Sequence, residues 1–344
     1  MIRVLLADDS ATVREYLAYL LGEDPTLEVV GTARDGLEAV AEAERLKPDI
    51  IVMDVHMPRM NGFEATHQIM ERTPTPIVIV SASISREEVA MTFEALKAGA
   101  LTVVDKPGGP DHPRHAESAQ RLVETVKLMA EVKVVRRFPR RKRPVTPPSF
   151  PPPSGRTIRL IAIGASTGGP QVLAEILAGL PANFGVPILI VQHIAPGFTE
   201  GLAQWLGQET RLGVKLAEPR EAVQPGTVYL APNGWQTGVT KDGGIRLTKE
   251  VLEDGFCPSA SHLFQSVAEA YGRSAMGVLL TGMGRDGASG LRRLREAGAV
   301  TIAQDKATSV VFGMPGEAVR LGAAEYVLAP AQIAAAIRSL ATHG

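Results

Sequence analysis

The sequence has only one cysteine, almost no net charge and no long hydrophobic run. Cys257 is the single cysteine among 344 residues, which excludes an intramolecular disulfide and a cysteine-built zinc site and fits a reducing compartment. A formal net charge of −1 does not indicate binding to nucleic acid. The longest apolar runs, such as residues 186–191, have the length of strands and are well short of the ~18 residues of a membrane span. We therefore expect a cytoplasmic protein without membrane insertion.

The length and the apolar content predict two domains joined by a linker. The chain has 344 residues, of which 45% are hydrophobic, enough for two cores. We predict a first domain over residues 1–130, a linker over 131–156 and a second domain over 157–344. The linker is rich in arginine, lysine and proline, which is typical of an extended, semi-rigid segment. A contact with a membrane surface or with nucleic acid is the alternative, but aromatic residues are nearly absent and no groove-reading motif follows.

The first domain alternates short apolar runs with amphipathic stretches, which predicts an α/β fold with a doubly wound parallel sheet. The expected strand order is 2-1-3-4-5, and the carboxyl ends of the strands share one edge. The predicted strands are Arg3–Ala7, Glu28–Thr32, Ile50–Met53, Ile77–Ser81 and Leu101–Val104.

Polar side chains stand at the ends of four of these strands. Asp8 and Asp9 follow the first strand, and Asp54 follows the third. Three carboxylates this close would repel one another unless a hard divalent cation such as Mg²⁺ lies between them. Ser81 ends the fourth strand and offers a hydrogen bond to a phosphoryl oxygen, and Lys106 follows the fifth and offers a positive charge. The pattern indicates a phosphate-accepting site.

Residues 1 to about 125 resemble a two-component receiver domain. The resemblance rests on Asp-Asp-Ser at 8–10, Met-Pro-x-Met-x-Gly at 57–62 and Lys-Pro at 106–107. It implies that Asp54 is the phosphoacceptor and that a histidine kinase is the donor. The family often has an aromatic residue where Val103 stands, so we expect the signal to travel by loop and helix shifts.

The same resemblance implies a set of Mg²⁺ ligands. Asp9 and Asp54 would bind the ion directly, together with the carbonyl oxygen of His56, and Asp8 would act through water. The serine and the lysine of the pocket would contact the phosphate.

The second domain resumes the alternation of strands and helices, which predicts a doubly wound α/β domain with a mainly parallel sheet and a β-rich insertion over 215–248. Ser166 lies on a glycine-rich turn, 164–169, between a predicted strand and a helix that begins near Pro170. A hydroxyl there lies near the positive end of a helix and is a candidate nucleophile. A phosphate-binding loop is the alternative, although no nucleotide-binding motif accompanies the turn.

A serine nucleophile needs a base and an orienting acid. His193 ends an apolar strand pattern, whereas His343 is next to the last residue and His262 lies in a predicted helix start. Asp286, alone among the candidate aspartates, follows a strand in a glycine-dense turn. That turn also offers the backbone N–H of Met283 to an oxyanion hole.

The second domain is similar to the catalytic domain of the chemotaxis protein-glutamate methylesterase family, the CheB type. The order of receiver, linker and esterase matches as well. The shared stretches are 164–170, 191–199, 280–287 and 303–315.

This resemblance implies hydrolysis of glutamyl γ-methyl esters on methyl-accepting chemoreceptors, and in many members deamidation of receptor glutamines. It implies that Ser166 is the nucleophile, His193 the base and Asp286 the orienting acid, with Met283 offering its N–H. We expect a monomer that binds no nucleic acid and needs no cofactor for the esterase reaction.

Three residues depart from the family pattern. Gln236 stands where the family often has histidine, Ser261 where it often has aspartate, and Trp205 where a basic residue is common. We expect the segments that carry these residues to lie near the receptor. A substrate that differs from that of the family is therefore an alternative.

We expect the receiver to inhibit the esterase until Asp54 is phosphorylated. One alternative is a non-catalytic response regulator that only docks on receptors. A second is a transcriptional regulator whose basic linker contacts DNA, but no helix-turn-helix pattern follows the linker.

Overall fold

The computed structural model describes residues 1–81, 86–109, 111–113, 115–132, 134, 157–250 and 255–341. These residues form two compact units, of which the first contains β1 to α5 and the second β6 to α11. Nearly all of the predicted linker, together with His343, lies outside the described residues.

The first unit is a five-stranded parallel sheet with the order β2-β1-β3-β4-β5, which confirms the predicted topology. Each predicted strand agrees with the structure to within one residue at either end. The strands are β1 (Ile2–Ala7), β2 (Leu27–Ala33), β3 (Ile50–Asp54), β4 (Ile77–Ser81) and β5 (Thr102–Asp105). The helices are α1 (Ala11–Gly22), α2 (Gly36–Leu46), α3 (Gly62–Arg72), α4 (Arg86–Ala98) and α5 (His115–Ala130).

Side-chain caps begin the first three helices. The Ser10 side chain accepts the N–H of Val13 at the start of α1, and Asp35 caps α2. Asn61 and Glu64 form a reciprocal capping box at the start of α3. Because these caps lie in the loops at the carboxyl edge of the sheet, they hold that edge in place.

The second unit is a seven-stranded sheet with the order β14-β13-β12-β6-β7-β9-β8, and all of its strand pairs are parallel. Its strands are β6 (Leu160–Ala165), β7 (Ile188–Gln192), β8 (Gly213–Leu216), β9 (Thr227–Leu230), β12 (Ala275–Leu279), β13 (Val300–Gln304) and β14 (Tyr326–Leu328). Strands β10 (Gln236–Val239) and β11 (Ile245–Thr248) form a separate antiparallel hairpin. The helices are α6 (Gly169–Ala178), α7 (Thr199–Glu209), α8 (Ala260–Tyr271), α9 (Ala288–Glu296), α10 (Met314–Arg320) and α11 (Pro330–Ala341).

The chain leaves β6 toward β7 on one side of the sheet and later returns to β12 on the other side. Such a switch in direction opens a crevice outside the carboxyl ends of the strands, where α/β proteins bind their ligands. The core strands β6, β7, β12 and β13 are buried along their whole length, as expected for parallel strands covered on both faces.

The predicted β-rich insertion over 215–248 is wrong in part. Strand β9, whose residues 228–230 the sequence also predicts as a strand, belongs to the main sheet, as does β8, which overlaps the start of this stretch. Strands β10 and β11 pair with each other apart from that sheet. Helix α10 and strand β14 were not predicted, because seven and three residues are too short to show a period. Among the described residues, no helix combines the length and the hydropathy that a bilayer crossing requires.

Candidate active site and phosphoacceptor site

Ser166 lies on a tight turn directly after β6. Its N–H donates to the carbonyl oxygen of Thr281 at 3.0 Å. Its own carbonyl oxygen accepts the N–H of Gly169 at 2.8 Å and the side-chain Nε2 of Gln192 at 2.8 Å. The turn is therefore attached to strand ends on both sides of β6, and it leads straight into the positive end of α6.

Two glycines let the chain pack closely around this serine. Gly168 has φ +76°, which a residue with a Cβ rarely adopts. A Cβ on Gly282 would lie 2.7 Å from the Cβ of Ser166 and would also strike the sulfur of Met314. The Ser166 turn and the loop after β12 are thus in backbone contact, and only glycine fits at position 282.

His193 follows β7 and lies beside the Ser166 turn. Its N–H donates to the carbonyl oxygen of Ala165 at 2.9 Å, and its side chain is only 10% exposed. The Nε2 atom lies 2.9 Å from Oδ2 of Asp286, although the N–H direction at that nitrogen misses the oxygen. The two groups are within hydrogen-bonding distance, and the orientation of the ring decides whether the bond forms.

Asp286 is fully buried and accepts hydrogen bonds from the amino end of α8. The donors are Ser259 Oγ at 2.9 Å, Ala260 N at 2.7 Å and Ser261 N at 3.0 Å. Burial by itself would raise the pKa of Asp286, but His193 and the Ser261 donors outweigh it and hold this pKa well below its usual range. The side chain therefore stays a carboxylate, as an orienting acid requires.

The structure brings the three predicted triad residues to one edge of the sheet. Ser166 and His193 follow adjacent strands, and Asp286 contacts His193. Met283 lies in the loop after β12 with its side chain 42% exposed, and the role of its N–H stays a prediction.

The sequence did not predict the surroundings of the His193 ring. The ring of Phe256 stacks on the imidazole, with centroids 4.6 Å apart and planes 3° from parallel. Gln236 is fully buried and connects the carbonyl oxygen of Phe256 to the N–H of Ser259. Gln236 was noted only as a departure from the family, and the loop that carries Phe256 has no periodic pattern that would indicate a contact.

In the first unit, the three predicted carboxylates meet at the carboxyl edge of the sheet. Carboxylate oxygens of Asp8, Asp9 and Asp54 lie within 4.8 Å of one another. The ammonium nitrogen of Lys106 lies 2.8 Å from Oδ2 of Asp8 and 3.0 Å from Oδ2 of Asp54. An all-oxygen cluster of this charge fits a hard divalent cation.

Burial and charge act in opposite directions in this pocket. Burial raises the pKa of Asp54 to about 6; the repulsion from Asp8 adds to this effect and the attraction of Lys106 opposes it. Burial lowers the pKa of Lys106, but Asp54 and Asp8 outweigh it and leave that pKa above its ordinary value. The pocket thus holds more negative charge than one lysine neutralises.

The remaining predicted receiver residues lie around this pocket. Ser81 is buried at the end of β4, and its carbonyl oxygen accepts the N–H of Lys106 at 3.0 Å. His56 is exposed two residues after Asp54, and Val103 is buried in β5. The roles predicted for Ser81 and His56 stay predictions.

Comparisons with known proteins identify a family for each of the two units. The family model described as CheB methylesterase matches residues 161–337, and that of the response regulator receiver domain matches residues 4–116. A protein-glutamate methylesterase/protein-glutamine glutaminase of Geobacter metallireducens is 53% identical over 99% of each chain. Its counterpart in Nitrosospira multiformis is 52% identical over 99% of this chain and 97% of the relative.

One solved structure covers the second unit. The CheB methylesterase catalytic domain of Thermotoga maritima is 40% identical, with a TM-score of 0.52 over 54% of this chain and 99% of that chain. The chain therefore belongs to the CheB methylesterase family and is an ester hydrolase joined to a response regulator receiver domain.

Proposed function

We propose that this chain is a phosphorylation-activated protein-glutamate methylesterase that hydrolyses glutamyl γ-methyl esters on chemoreceptors. The contact of His193 with a buried, ionised Asp286 beside the Ser166 turn carries the proposal, since this is the arrangement that activates a serine hydroxyl. The names of the relatives support the substrate class and add deamidation of receptor glutamines.

In the first half of the reaction, His193 takes the proton of Ser166 while Oγ attacks the ester carbonyl carbon. Because Nε2 of His193 faces Asp286, Nδ1 is the ring nitrogen that accepts this proton. The imidazolium then returns the proton to the leaving oxygen, and methanol departs. Asp286 stabilises the imidazolium and keeps its own charge throughout.

In the second half, His193 takes a proton from water, which attacks the acyl-enzyme. The imidazolium then returns the proton to Ser166 Oγ as the receptor glutamate leaves, which restores both residues. The tetrahedral oxyanion forms twice and needs N–H donors. We assign one of them to the backbone of Met283, in the loop that contacts the serine turn through Gly282. A deamidation would follow the same steps with ammonia as the leaving group.

The receiver is proposed to accept a phosphoryl group on Asp54 from a histidine kinase. Asp9, Asp54 and the carbonyl oxygen of His56 would hold Mg²⁺, with Asp8 acting through water. The bound ion supplies charge neutralisation for the incoming phosphate. Lys106 and Ser81 would then contact the phosphoryl oxygens, and Lys106 would change partners because it pairs with Asp8 and Asp54 before phosphorylation.

We propose the domain limits 1–130, 131–156 and 157–344, with the receiver inhibiting the esterase until it is phosphorylated. Phosphorylation activates only if it stabilises the open state relative to the closed state. Tenfold activation corresponds to about 1.4 kcal/mol of differential stabilisation. A fragment starting at Thr157 is expected to be more active than the unphosphorylated full chain, and lower activity of the fragment would mean that the receiver acts by recruitment.

Methanol release from methylated chemoreceptor tests the esterase, measured with and without Mg²⁺ and a small phosphodonor. Ser166→Ala is expected to keep the fold and lose methanol release, whereas Ser274→Ala, at the amino end of β12, is expected to match the wild type. Wild-type turnover by Ser166→Ala would remove this serine from the mechanism. Failure of the wild type both to release methanol and to react with an active-site serine probe would favour the non-catalytic docking alternative.

A further inference from the structure

On the basis of the function above, we propose that Phe256 and Gln236 are positioning residues for His193. Phe256 sets the plane of the imidazole, and Gln236 holds the main chain that carries Phe256. Phe256 acts through the imidazole, and Gln236 acts through Phe256.

The stacking contact defines the plane of the catalytic ring. The Phe256 and His193 rings are 3° from parallel with centroids 4.6 Å apart, a separation at which stacked aromatic rings attract each other. Turning the imidazole out of this plane would break the stack. The plane matters because Nε2 lies 2.9 Å from Oδ2 of Asp286, and the orientation of the ring sets the angle of this contact, on which the strength of a hydrogen bond depends steeply.

Burial alone does not explain why a phenylalanine stands at this position. Phe256 is 38% exposed, whereas Phe264 on the neighbouring helix α8 is fully buried in the core. The contact of Phe256 with an ionisable ring is therefore its distinguishing feature. An aromatic face also favours the positive charge that His193 acquires during the reaction.

Gln236 connects Phe256 to the residue that caps α8. Its Nε2 donates to the carbonyl oxygen of Phe256 at 2.6 Å, and its Oε1 accepts the N–H of Ser259 at 2.9 Å. Ser259 in turn donates its Oγ to Asp286 at 2.9 Å. A chain of three hydrogen bonds thus runs from the stacked residue to the acid, and its buried amide has a partner at each end.

The stack is tested first by the NMR spectrum of the full-length protein with labelled histidine. The chain has seven histidines, and the His193 signals are identified by their loss in His193→Gln. We expect ring-current shifts of these signals that disappear in Phe256→Leu and persist in Phe256→Tyr. Tyr271→Leu, at the other end of α8, is the matched control and is expected to leave them unchanged. Signals of His193 that do not respond to Phe256→Leu would overturn the proposal.

Methanol-release kinetics test whether the stack positions the base. Phe256→Leu is expected to lower kcat about tenfold with little change in KM, because a misoriented base slows the chemical step more than it weakens binding. Phe256→Tyr should restore kcat. A rise in KM at constant kcat would overturn positioning and indicate a substrate contact instead.

The same two measurements test the amide bridge. Gln236→Glu places an oxygen against the Phe256 carbonyl and should shift the His193 signals and lower kcat. Gln224→Glu, which alters an exposed glutamine that donates to a backbone carbonyl, is the control expected to change neither. Unchanged His193 signals in Gln236→Glu would exclude the bridge. If the wild type releases no methanol, the proposed function fails, while the NMR spectra still decide whether the stack and the bridge orient His193.

Discussion

Oδ2 of Asp286 accepts the backbone N–H of Ala260 at 2.7 Å, which places the carboxylate at the amino end of α8. The free N–H groups and the dipole of that helix stabilise a negative charge there. Asp286 thus serves two purposes, because it ties the loop after β12 to α8 and presents a permanent charge to His193.

Asp286→Asn is expected to lower both activity and stability. An amide cannot accept from all the donors around this position, so buried N–H groups lose their partner at about 1–3 kcal/mol of unfolding free energy. The loss of the charge should lower kcat by about 10³- to 10⁴-fold, as for the orienting acid of other serine triads. Urea unfolding and methanol release measure the two effects. Asp242→Asn changes an exposed aspartate in the β10–β11 turn and should alter neither. Near wild-type kcat in Asp286→Asn would exclude Asp286 from the triad.

Gly282→Ala is expected to separate the loop after β12 from the serine turn. The added Cβ would lie 2.7 Å from the Cβ of Ser166, so backbone must move, at a cost of about 1–3 kcal/mol. A displacement of this kind should lower kcat by about 10²-fold, measured by methanol release. Gly185→Ala is the control, since a Cβ there meets no atom within 4 Å. If Gly282→Ala behaved like Gly185→Ala, this close approach would have no functional importance.

The stability of the metal-free receiver is expected to fall as the pH rises from about 4 to 6. Burial raises the pKa of Asp54 to about 6, whereas the unfolded chain releases this proton near pH 3.9. The folded state therefore holds the extra proton in this window, and stability falls as the pH rises. In EDTA at pH 7, Asp54→Asn should be more stable than the wild type by about 3 kcal/mol, measured by urea unfolding.

Magnesium should reverse this difference, because the cation favours the ionised carboxylates. The wild-type receiver is expected to gain more stability from Mg²⁺ than Asp54→Asn. Asp24→Asn is the control, because the effect of Asp24 on stability changes with pH in the opposite direction. Hydrogen bonds from Thr26 and Lys127 lower the pKa of Asp24 to about 2. The stability that Asp24 contributes is present above about pH 4 and is lost as the pH falls. Equal Mg²⁺ responses of the wild type and Asp54→Asn would contradict a magnesium site at Asp54.

Lys106→Gln is expected to strengthen Mg²⁺ binding and to abolish activation by phosphorylation. In the wild type, the ammonium group lies against Oδ2 of both Asp8 and Asp54 and competes with the cation for them. After phosphorylation, the variant lacks this group as a partner for the phosphate. Calorimetric Mg²⁺ titration and methanol release with a phosphodonor measure the two effects. Lys127→Gln removes a lysine–aspartate pair elsewhere in the same unit and should change neither. Full activation of Lys106→Gln would show that another group reads the phosphate.

The strands and their polar ends could be predicted from the sequence because the pattern that marks them is local. Residues 188–191 form an uninterrupted apolar run, as parallel strands buried on both faces require, and the polar residues Gln192 and His193 follow it. The same reasoning placed Ser166 and Asp54 at strand ends. It failed for β14, whose three residues are too few to show a pattern, and for β8, which the sequence assigned to an insertion.

The contacts around the imidazole could not be predicted, because they join residues that are distant in the sequence. Phe256 and Gln236 lie 20 positions apart, and neither stands at the carboxyl end of a predicted strand. Asp286 could be selected from the sequence because it lies in a glycine-dense turn. Its hydrogen-bond donors could not be selected, because they stand at the start of α8, 25 to 27 positions earlier.

The sequence by itself determined that this chain has two α/β units, where their parallel strands end and which polar groups stand at those ends, because apolar runs and turn residues act over a few neighbouring positions. Only the tertiary structure decided which nitrogen of His193 faces Asp286, that Phe256 covers the imidazole and that Lys106 lies between Asp8 and Asp54. Those relationships depend on how helices and loops pack against the sheet, and packing is a property of the whole fold.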